Sequence, residues 1–260
     1  MSIEIFQPIA APPDALWQAI STPEGLRSWQ ADLVEPEGVD AVATSWPTLE
    51  VSVVLRFEVV VPGRSIRFRA RDSLTELNVV AGGVRLRYEG SEVARDATAV
   101  RSSWAVSLLL LAHSLERHAG QERWVHWQVE SAPCSGASLH PFLTRASLLR
   151  RWLTDAGEIA AAGSAYQLVL RSGARLSGRV LANEAGADVA LTVSEHDGAV
   201  LGWRSLPCLD AEQRRIALCW SQWGRRPPRL LVRQLGSALG ALARELGREH
   251  EPRGPGEALH

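Results

Sequence analysis

The sequence predicts an α+β protein that contains two domains of similar construction. Two observations support this prediction. The segment at 14–32 recurs at 137–155 with several identical residues. Each copy is followed by segments in which apolar and polar residues alternate, and each series ends in an apolar helix. This shared order indicates an internal duplication, with a first domain at 1–120, a second domain at 121–248 and a frayed tail at 249–260.

The repeated segment predicts two short helices separated by a break. In the first copy, Pro12 and Pro13 suit a helix start, and Thr22 is placed to cap the second helix. His140 stands where the first copy has Trp17, and we interpret it as a half-buried structural histidine with a bonded ring nitrogen. The identical pairs, each 123 positions apart (152 − 29 = 123), are Leu16 and Leu139, Leu26 and Leu149, Arg27 and Arg150, Trp29 and Trp152, and Asp32 and Asp155.

After the helix pair, the first domain reads as a loop followed by strands. Residues 31–48 contain prolines and glycine and predict a loop. The alternation then predicts strands at 51–60, 66–71, 74–80 and 84–89, in addition to a first strand at 2–9. One face of this sheet is predicted to be apolar and aromatic throughout. The other face carries arginines that we expect in solvated cross-strand ion pairs, namely Arg56, Arg67, Arg69, Arg85 and Arg87.

Each domain is predicted to end in a helix with one apolar face. In the first domain this apolar stripe consists of Trp104, Leu108, Leu111 and Leu115. His113 lies off this stripe and His118 lies near its end, so both are predicted to be surface residues. In the second domain, a helix is predicted to begin at 227–228, and its apolar positions are Leu231, Leu235, Leu239, Leu242 and Leu246.

The second domain is predicted to follow the first with almost no linker. Its first strand is expected at 123–130, and the absence of a spacer predicts a rigid pair with an interface that Trp124 and Trp127 help to fill. His196 and Asp197 are interpreted as turn residues, not as a catalytic pair. The further strands are expected at 165–171, 174–181, 187–194, 201–203 and 216–220.

Composition excludes several classes of function. The 28 basic residues balance 29 acidic ones, which predicts no nucleic-acid partner. All the basic residues are arginines, and the absence of lysine excludes Schiff-base chemistry, a pyridoxal-phosphate anchor and a P-loop. The cysteines at 134, 208 and 219 have no metal-site spacing and predict no disulfide framework. No apolar stretch is long enough to span a membrane, and the first residues do not form a signal peptide, so we predict a cytoplasmic protein.

No motif for catalysis, metal ligation or cofactor binding is recognisable in the sequence. Glycine-rich stretches such as 81–83 fit hairpin turns, and no dinucleotide-binding pattern follows a strand. We therefore predict no catalytic residue, no metal and no cofactor. The sequence specifies neither the ligand nor the oligomeric state. The sequence contains ten tryptophans, and a tryptophan side chain can belong to the core and line a cavity at the same time.

The first strand, the Ala-Pro-Pro-x-x-Leu-Trp helix at 11–17, the Thr-Pro-Glu-x-Leu-x-x-Trp helix at 22–29, the strands and the closing helix together resemble the START-like, or SRPBCC, superfamily. Within it, the sequence is most similar to the activator of heat-shock protein 90 ATPase homologue family. The resemblance covers both halves and is clearer in the first. It implies a helix-grip fold, in which a curved antiparallel sheet wraps around a long C-terminal helix with an apolar cavity between them.

The leading hypothesis from this resemblance is that the protein binds a small apolar or amphipathic ligand between sheet and helix. The residues expected to line such a site in the first domain are Trp29, Leu55, Phe57, Phe68, Leu86, Tyr88, Trp104 and Leu108. Those expected in the second domain are Trp152, Tyr166, Leu191, Trp203, Trp220, Leu231 and Leu235.

Two alternatives remain open at the level of sequence. The superfamily includes cyclases and aromatases, some of which pair two such domains, and an enzyme would need acid or base groups in the cavity. The residues that could supply them are Tyr88, Tyr166, Glu76 and His140. The other alternative is a co-chaperone or protein-binding module with a protein partner. The eukaryotic activators also carry a different N-terminal domain, to which nothing in this sequence corresponds.

Overall fold

A computed structural model describes residues 1–184, 188–207 and 213–250 of the chain. The first sheet contains β1 (Ser2–Pro8), β2 (Leu33–Pro36), β3 (Ala41–Trp46), β4 (Val51–Val61), β5 (Ser65–Ala70), β6 (Ser73–Val80) and β7 (Gly83–Glu89). The second sheet contains β8 (Arg123–Pro133), β9 (Thr154–Ala156), β10 (Ala165–Leu170), β11 (Arg175–Asn183), β12 (Val189–Val193), β13 (Ala199–Pro207) and β14 (Gln213–Trp223). The helices are α1 (Pro13–Ser21), α2 (Pro23–Arg27), α3 (Ser91–Arg117), α4 (Gly136–Thr144), α5 (Ala146–Trp152) and α6 (Arg229–His250).

The two sheets have the same strand order, which confirms the predicted α+β fold class. The first runs β1-β7-β6-β5-β4-β3-β2 and the second β8-β14-β13-β12-β11-β10-β9. Every paired strand is antiparallel, and in each sheet the first strand pairs with the last. We call β1 to α3 the first unit and β8 to α6 the second unit. Each unit buries the apolar stripe of its own closing helix against its own sheet.

The repeated helix pair makes the same anchoring hydrogen bond in both units. The indole N–H of Trp29 donates to the carbonyl oxygen of Ala19 over 3.0 Å. That of Trp152 donates to the carbonyl oxygen of Phe142 over 2.9 Å. Both donors and both acceptors are related by the offset of the sequence repeat. In the first copy, the Thr22 hydroxyl also accepts from the Gly25 N–H at 3.0 Å, as the predicted cap requires.

The predicted loop at 31–48 is wrong, because β2 and β3 lie within it. The second unit has the counterpart strand β9, which the sequence also failed to indicate. These strands are short and lie at or next to a sheet edge, where prolines are tolerated. The alternation predicted over 51–60 is interrupted by a bulge between Phe57 and Val59. Beyond this bulge, Val59, Val60 and Val61 are exposed.

The outer face of the first sheet carries ion pairs, as predicted. Arg67 pairs with Glu76 on the neighbouring strand over 2.7 Å, and Arg69 pairs with Glu58. Arg87 pairs with a residue of its own strand, Glu89. Pairs this exposed contribute little to stability and keep the face solvated.

The second sheet is buried on both faces. On its inner face, Leu201 and Trp203 pack into one core with Leu235 of α6. On its outer face, Val200 and Ala190 belong to the core of the first unit. Ala190, Val200 and Gly202, the outward residues beside Val106 and Leu110 of α3, are small, so that α3 can approach this part of the outer face closely.

Hydrogen bonds as well as apolar contacts join the two units. The indole N–H of Trp127 donates to Asp32 Oδ1 over 3.0 Å, and that of Trp223 donates to the carbonyl oxygen of Ser28 over 3.2 Å. Trp124, which we also expected at the interface, lies instead on the opposite face of β8 beside the start of α6. Consecutive side chains of a strand point to opposite faces, so positions 124 and 127 cannot share one.

His113 and His118 are not surface residues, contrary to the prediction from the helical stripe. Both are buried, 6% and 7% exposed, and both rings contact Trp223 of the second unit. His113 Nε2 donates to the carbonyl oxygen of Gly198 over 2.6 Å. The side of α3 that faces away from its own sheet is covered by the second unit, which the sequence of α3 alone does not reveal.

The closing helix α6 fits its prediction, with all five predicted leucines buried. It continues to His250, two residues into the segment expected to be frayed. The remainder of that predicted tail lies outside the described residues, as do Ala187 of a predicted strand and Cys208. His196 and Asp197 form a turn after β12, as predicted, with Asp197 in the left-handed region.

The buried histidines predict that the fold loses stability in mild acid. Burial lowers the pKa of His113 from 6.5 to about 4, and it lowers the pKa of His118 as well. The folded state therefore disfavours protonation, so the stability from this site is present above pH 6.5 and is lost as the pH falls toward 4. The H113Q variant keeps an N–H donor for Gly198 but does not titrate.

We expect the free energy of unfolding of the natural protein to fall more than that of H113Q between neutral pH and pH 4.5, by on the order of 2 kcal/mol. Denaturant titrations at each pH measure it. Parallel pH profiles for the two proteins would contradict the assignment.

Candidate ligand cavity

The first unit contains a cavity of about 290 Å³ between its sheet and α3. The sheet contributes side chains from β3 to β7, and α3 contributes Ser103, Trp104 and Ser107. Further along α3, Leu108 and Leu111 are fully buried against the sheet. The helix therefore covers a filled core toward its C-terminal end and an open space toward its N-terminal end.

Aromatic side chains form the main walls of this cavity. Phe68, Thr75 and Tyr88 are direct neighbours across three adjacent strands, so they form one row on the inner face. The ring of Trp104 lies 5.6 Å from that of Tyr88, centre to centre, and faces this row from the helix. Together, strand alternation and helical periodicity thus place three aromatic rings around one space.

The inner face of the first sheet is not apolar throughout, contrary to the prediction. Thr44, Ser73 and Thr75 point inward and line the cavity, and all three are buried. The sequence indicated no orientation for these residues, because Thr44 lies in the predicted loop, Ser73 lies between two predicted strands and Thr75 was assigned to no face. Small hydroxyl side chains leave space that leucine or phenylalanine would fill, and they provide hydrogen bonds to whatever occupies it.

Tyr88 and Glu92 form a hydrogen-bonded pair in the cavity wall. The phenol of Tyr88 donates to Glu92 Oε2 over 3.1 Å. Burial raises the pKa of Tyr88 to about 12, and the charge of Glu92 adds to this effect. Gly90 makes the contact possible, because a Cβ there would lie 2.4 Å from the Glu92 carboxylate and 2.9 Å from the phenol oxygen. Tyr88 therefore acts as a hydrogen-bond donor and not as a base near neutral pH.

The second unit contributes Arg204 to this cavity. Its Nε donates to Asp188 Oδ2 over 3.1 Å, and its Nη2 donates to the carbonyl oxygen of Ser103 over 3.3 Å. Burial raises the pKa of Asp188, while Arg204 opposes that shift. The sequence did not indicate Arg204, because we expected each domain to build its own cavity from its own residues.

The predicted site residues of the first domain divide into two groups. Four of them line the cavity, namely Leu55, Phe68, Tyr88 and Trp104. Leu86 and Leu108 are fully buried core residues, and Phe57 is half-buried and packs against the same core. Trp29 is fully buried and borders a second, smaller space of about 20 Å³ next to the main cavity.

The predicted site residues of the second domain lie together in one packed core and do not line this cavity. They are Trp152, Tyr166, Leu191, Trp203, Trp220, Leu231 and Leu235, and none is more than 8% exposed. The rings of Trp152 and Trp203 meet edge to face with their centres 6.1 Å apart. Large interlocking side chains fill the space that the smaller residues of the first unit leave open.

Three of the four catalytic candidates lie outside the cavity. The Tyr166 hydroxyl donates to the carbonyl oxygen of Thr192 over 2.7 Å. His140 Nε2 donates to Asn183 Oδ1 over 2.7 Å, in agreement with its interpretation as a structural residue. Glu76 pairs with an arginine on the outer face of the first sheet. Only Tyr88 remains as a polar group that the sequence placed in the cavity and that the structure also places there.

The described residues contain neither a metal-ligand cluster nor a helix that could span a membrane. Among residues 1–184, 188–207 and 213–250, no cluster of three or more potential metal-ligating side chains occurs. Within the same ranges, no helix is both long enough and apolar enough to cross a membrane.

The strand order, the helix pair and the closing helices agree with the α+β fold that the sequence resemblance implied, in which each sheet packs on its own closing helix. No model of a known protein family matches the chain, and no curated protein is similar to it. Among solved structures, the di-domain ARO/CYC BexL from the BE-7585A biosynthetic pathway covers 97% of this chain and 99% of its own, at 13% identity and a TM-score of 0.43.

Two further solved structures are similar in the same way. DynU16, from the dynemicin biosynthetic locus, covers 95% of this chain and 96% of its own, at 18% identity and a TM-score of 0.39. The Aha1 dimer from Colwellia psychrerythraea covers 46% of this chain and 99% of its own, at 18% identity and a TM-score of 0.38. Similarities at this level do not indicate an activity, so the function proposed below is based on the cavity.

The chain has only two tyrosines, which makes the state of Tyr88 measurable. Burial raises the pKa of Tyr88 to about 12 and also raises that of Tyr166. We expect tyrosinate absorbance to stay low up to about pH 11 as long as the protein is folded, and to appear near the ordinary pKa of about 10 in denaturant. One tyrosine that ionises near pH 10 in the folded protein would show that the cavity wall is open to water there.

Proposed function

We propose that the protein binds a small amphipathic molecule in the cavity of its first unit. The observation that carries this proposal is an open space of about 290 Å³ inside a fold whose remaining interior is closely packed. The space opens to solvent beside the exposed Arg71 and Asp72, so a small molecule can enter it from there. Pockets for small molecules combine mostly apolar walls with a few converging polar groups, as this cavity does.

The polarity of the walls supports an amphipathic ligand over a purely apolar one. Phe68 and Trp104 offer flat apolar surface, whereas Thr75 and the Tyr88–Glu92 pair offer hydrogen bonds. The Tyr88–Glu92 pair is already satisfied within the protein, but its oxygens and that of Thr75 can accept further hydrogen bonds. An apolar ligand would displace water from these oxygens without replacing its hydrogen bonds. A ligand with polar groups at its ends and an apolar body avoids this loss.

We further propose that the two units are the domains at 1–120 and 121–248 and that they have different roles. The binding residues are Leu55, Phe68, Tyr88 and Trp104 of the first domain. The second domain has filled the corresponding space with its own side chains. It then serves as a rigid wall that covers α3 and supplies Arg204.

Binding is favoured over catalysis by the state of the polar groups. A cyclase-like or aromatase-like enzyme would need a group that exchanges protons near neutral pH. With its pKa raised to about 12, Tyr88 holds its proton and orients a ligand. The protein-binding alternative stays a prediction, and the exposed valines at 59–61 are the segment that it would use.

The proposal predicts that filling the cavity abolishes binding. Ser107 lines the cavity, and its hydroxyl donates to the carbonyl oxygen four residues earlier, Ser103. Ser237 makes the same bond to Arg233 on α6 but is exposed. The S107F variant should lose small-molecule binding because the ring occupies the cavity, whereas S237F should keep it.

Native mass spectrometry of the purified proteins checks this, since it detects small molecules that co-purify. We expect a bound molecule on the natural protein and on S237F, and its occupancy should drop at least about tenfold in S107F. Equal occupancy in S107F and S237F would place the bound molecule elsewhere and contradict the proposal.

A further inference from the structure

Arg123 is a buried arginine without a carboxylate in direct contact. Only 6% of it is exposed. Its Nε and Nη2 both donate to the Ser221 hydroxyl, over 3.2 and 2.9 Å, and its Nη1 is buried with no hydrogen-bond partner. Within the described parts of the chain, no carboxylate oxygen lies within 4.0 Å of it. The charge of Asp32 acts on Arg123 from beyond that distance. A buried charge without a direct partner is costly, so an anionic or strongly polar group in contact with this guanidinium would stabilise it.

Arg204 is a second guanidinium on the same outer face of the second sheet. Its Nε and Nη2 are engaged by Asp188 and Ser103. Its Nη1 donates to no group of the described chain, although Arg204 borders the cavity. The two arginines are close enough to interact, since burial lowers the pKa of Arg123 and the charge of Arg204 adds to this lowering.

The space next to Arg123 lies beside the main cavity. It measures about 20 Å³ and is lined by both arginines. Gln30, Ser107 and Arg204 border both this space and the main cavity, so the two adjoin. The carbonyl oxygen of the Gln30 side chain is also buried without a partner. Two buried polar atoms without hydrogen-bond partners, Arg123 Nη1 and Gln30 Oε1, therefore belong to residues that line the boundary between the cavity of the first unit and the outer face of the second.

We propose that the ligand of the main cavity is an aromatic carboxylate, and that Arg204 and Arg123 of the second unit bind its carboxylate group. This inference rests on the function proposed above. Guanidinium groups recognise carboxylates through paired N–H donors, and the Nη1 groups of both arginines are unused. The small space has room for one water-sized group such as a carboxylate oxygen. The adjoining walls of Phe68, Tyr88 and Trp104 suit an aromatic body.

The charge distribution of the cavity supports this orientation. At the other end, Glu92 and Asp72 are acidic and Arg71 is basic, and Arg71 and Asp72 are exposed, so this end faces solvent. Water screens the charges there, whereas the Arg204 side chain is largely buried and attracts a carboxylate more strongly. The second unit thus forms part of the site, even though its own core is filled.

Two probes that differ only in charge test the inference. Naphthalene-2-carboxylate and naphthalene-2-methanol share one aromatic body, and their affinities are measured by tryptophan fluorescence and calorimetry. We expect the natural protein to bind the acid at least about tenfold more tightly than the alcohol. In R204Q and R123Q, the two affinities should become equal, mainly because the acid binds more weakly.

R215Q is the matched control. Arg215 also belongs to the second unit and donates across the interface, to the carbonyl oxygen of Leu49 over 3.3 Å, but it borders neither cavity. This variant should keep the preference for the acid. Circular dichroism and melting curves verify that each variant is folded, and should R123Q fail to fold, R204Q alone decides.

The possible failures are distinguishable. If the natural protein binds both probes equally, the inference is overturned and the proposed function stands. If R204Q binds the acid as well as R215Q does, the inference is likewise overturned, and the polar groups near Arg123 hold only water or an inorganic ion. If neither probe binds and S107F matches S237F in mass spectrometry, the cavity holds no ligand and both proposals fail.

Discussion

The structure depends on the burial of the second sheet from both sides. Its inner face packs on α6 and its outer face packs on the first unit, so that the interface between the units is an extension of their cores. This arrangement requires small residues at outward positions, such as Ala190 and Gly202, between large inward ones. It also removes the outward side of α3 from water, which explains why His113 and His118 are buried. The two units consequently share one interface of apolar contacts and hydrogen bonds.

A duplication, after which side chains filled the interior of the second unit only, accounts for the different roles that we propose for the two units. Strand order and the indole hydrogen bonds of Trp29 and Trp152 are the same in both, so the framework has been preserved. The interiors differ, because Trp203 and Trp220 fill the second core, whereas Thr44 and other hydroxyl residues leave space in the first. A filled core is more stable, and an open one can bind. In a chain that has one filled and one open interior, the filled unit packs against the other unit and supports its cavity.

The electrostatics of the interface connect this architecture to the proposed ligand. An arginine such as Arg123 would be stabilised more cheaply by water at the surface than in a nearly sealed interface. In the binding mode that we propose, its position next to Arg204 and beside the open cavity lets its charge attract the ligand carboxylate. The exposed arginines of the first sheet, by contrast, are paired with glutamates and keep that face solvated. The same residue type therefore has two different roles, which are set by burial.

The sequence by itself determined the local elements and the fold class. Alternation and helical stripes depend only on which residues are near one another along the chain, so the strand from 84 to 89 and the leucines of α6 could be predicted. Four of the cavity residues followed in the same way. Only the tertiary structure decided that the second interior is filled, that β2 and β3 extend the sheet, that His113 is buried and that Arg204 reaches the cavity. The pairing of β2 with β3 is local, but proline and glycine in this segment hide the strand pattern. The other three depend on contacts between residues far apart in the chain, and no periodicity in the sequence encodes such contacts.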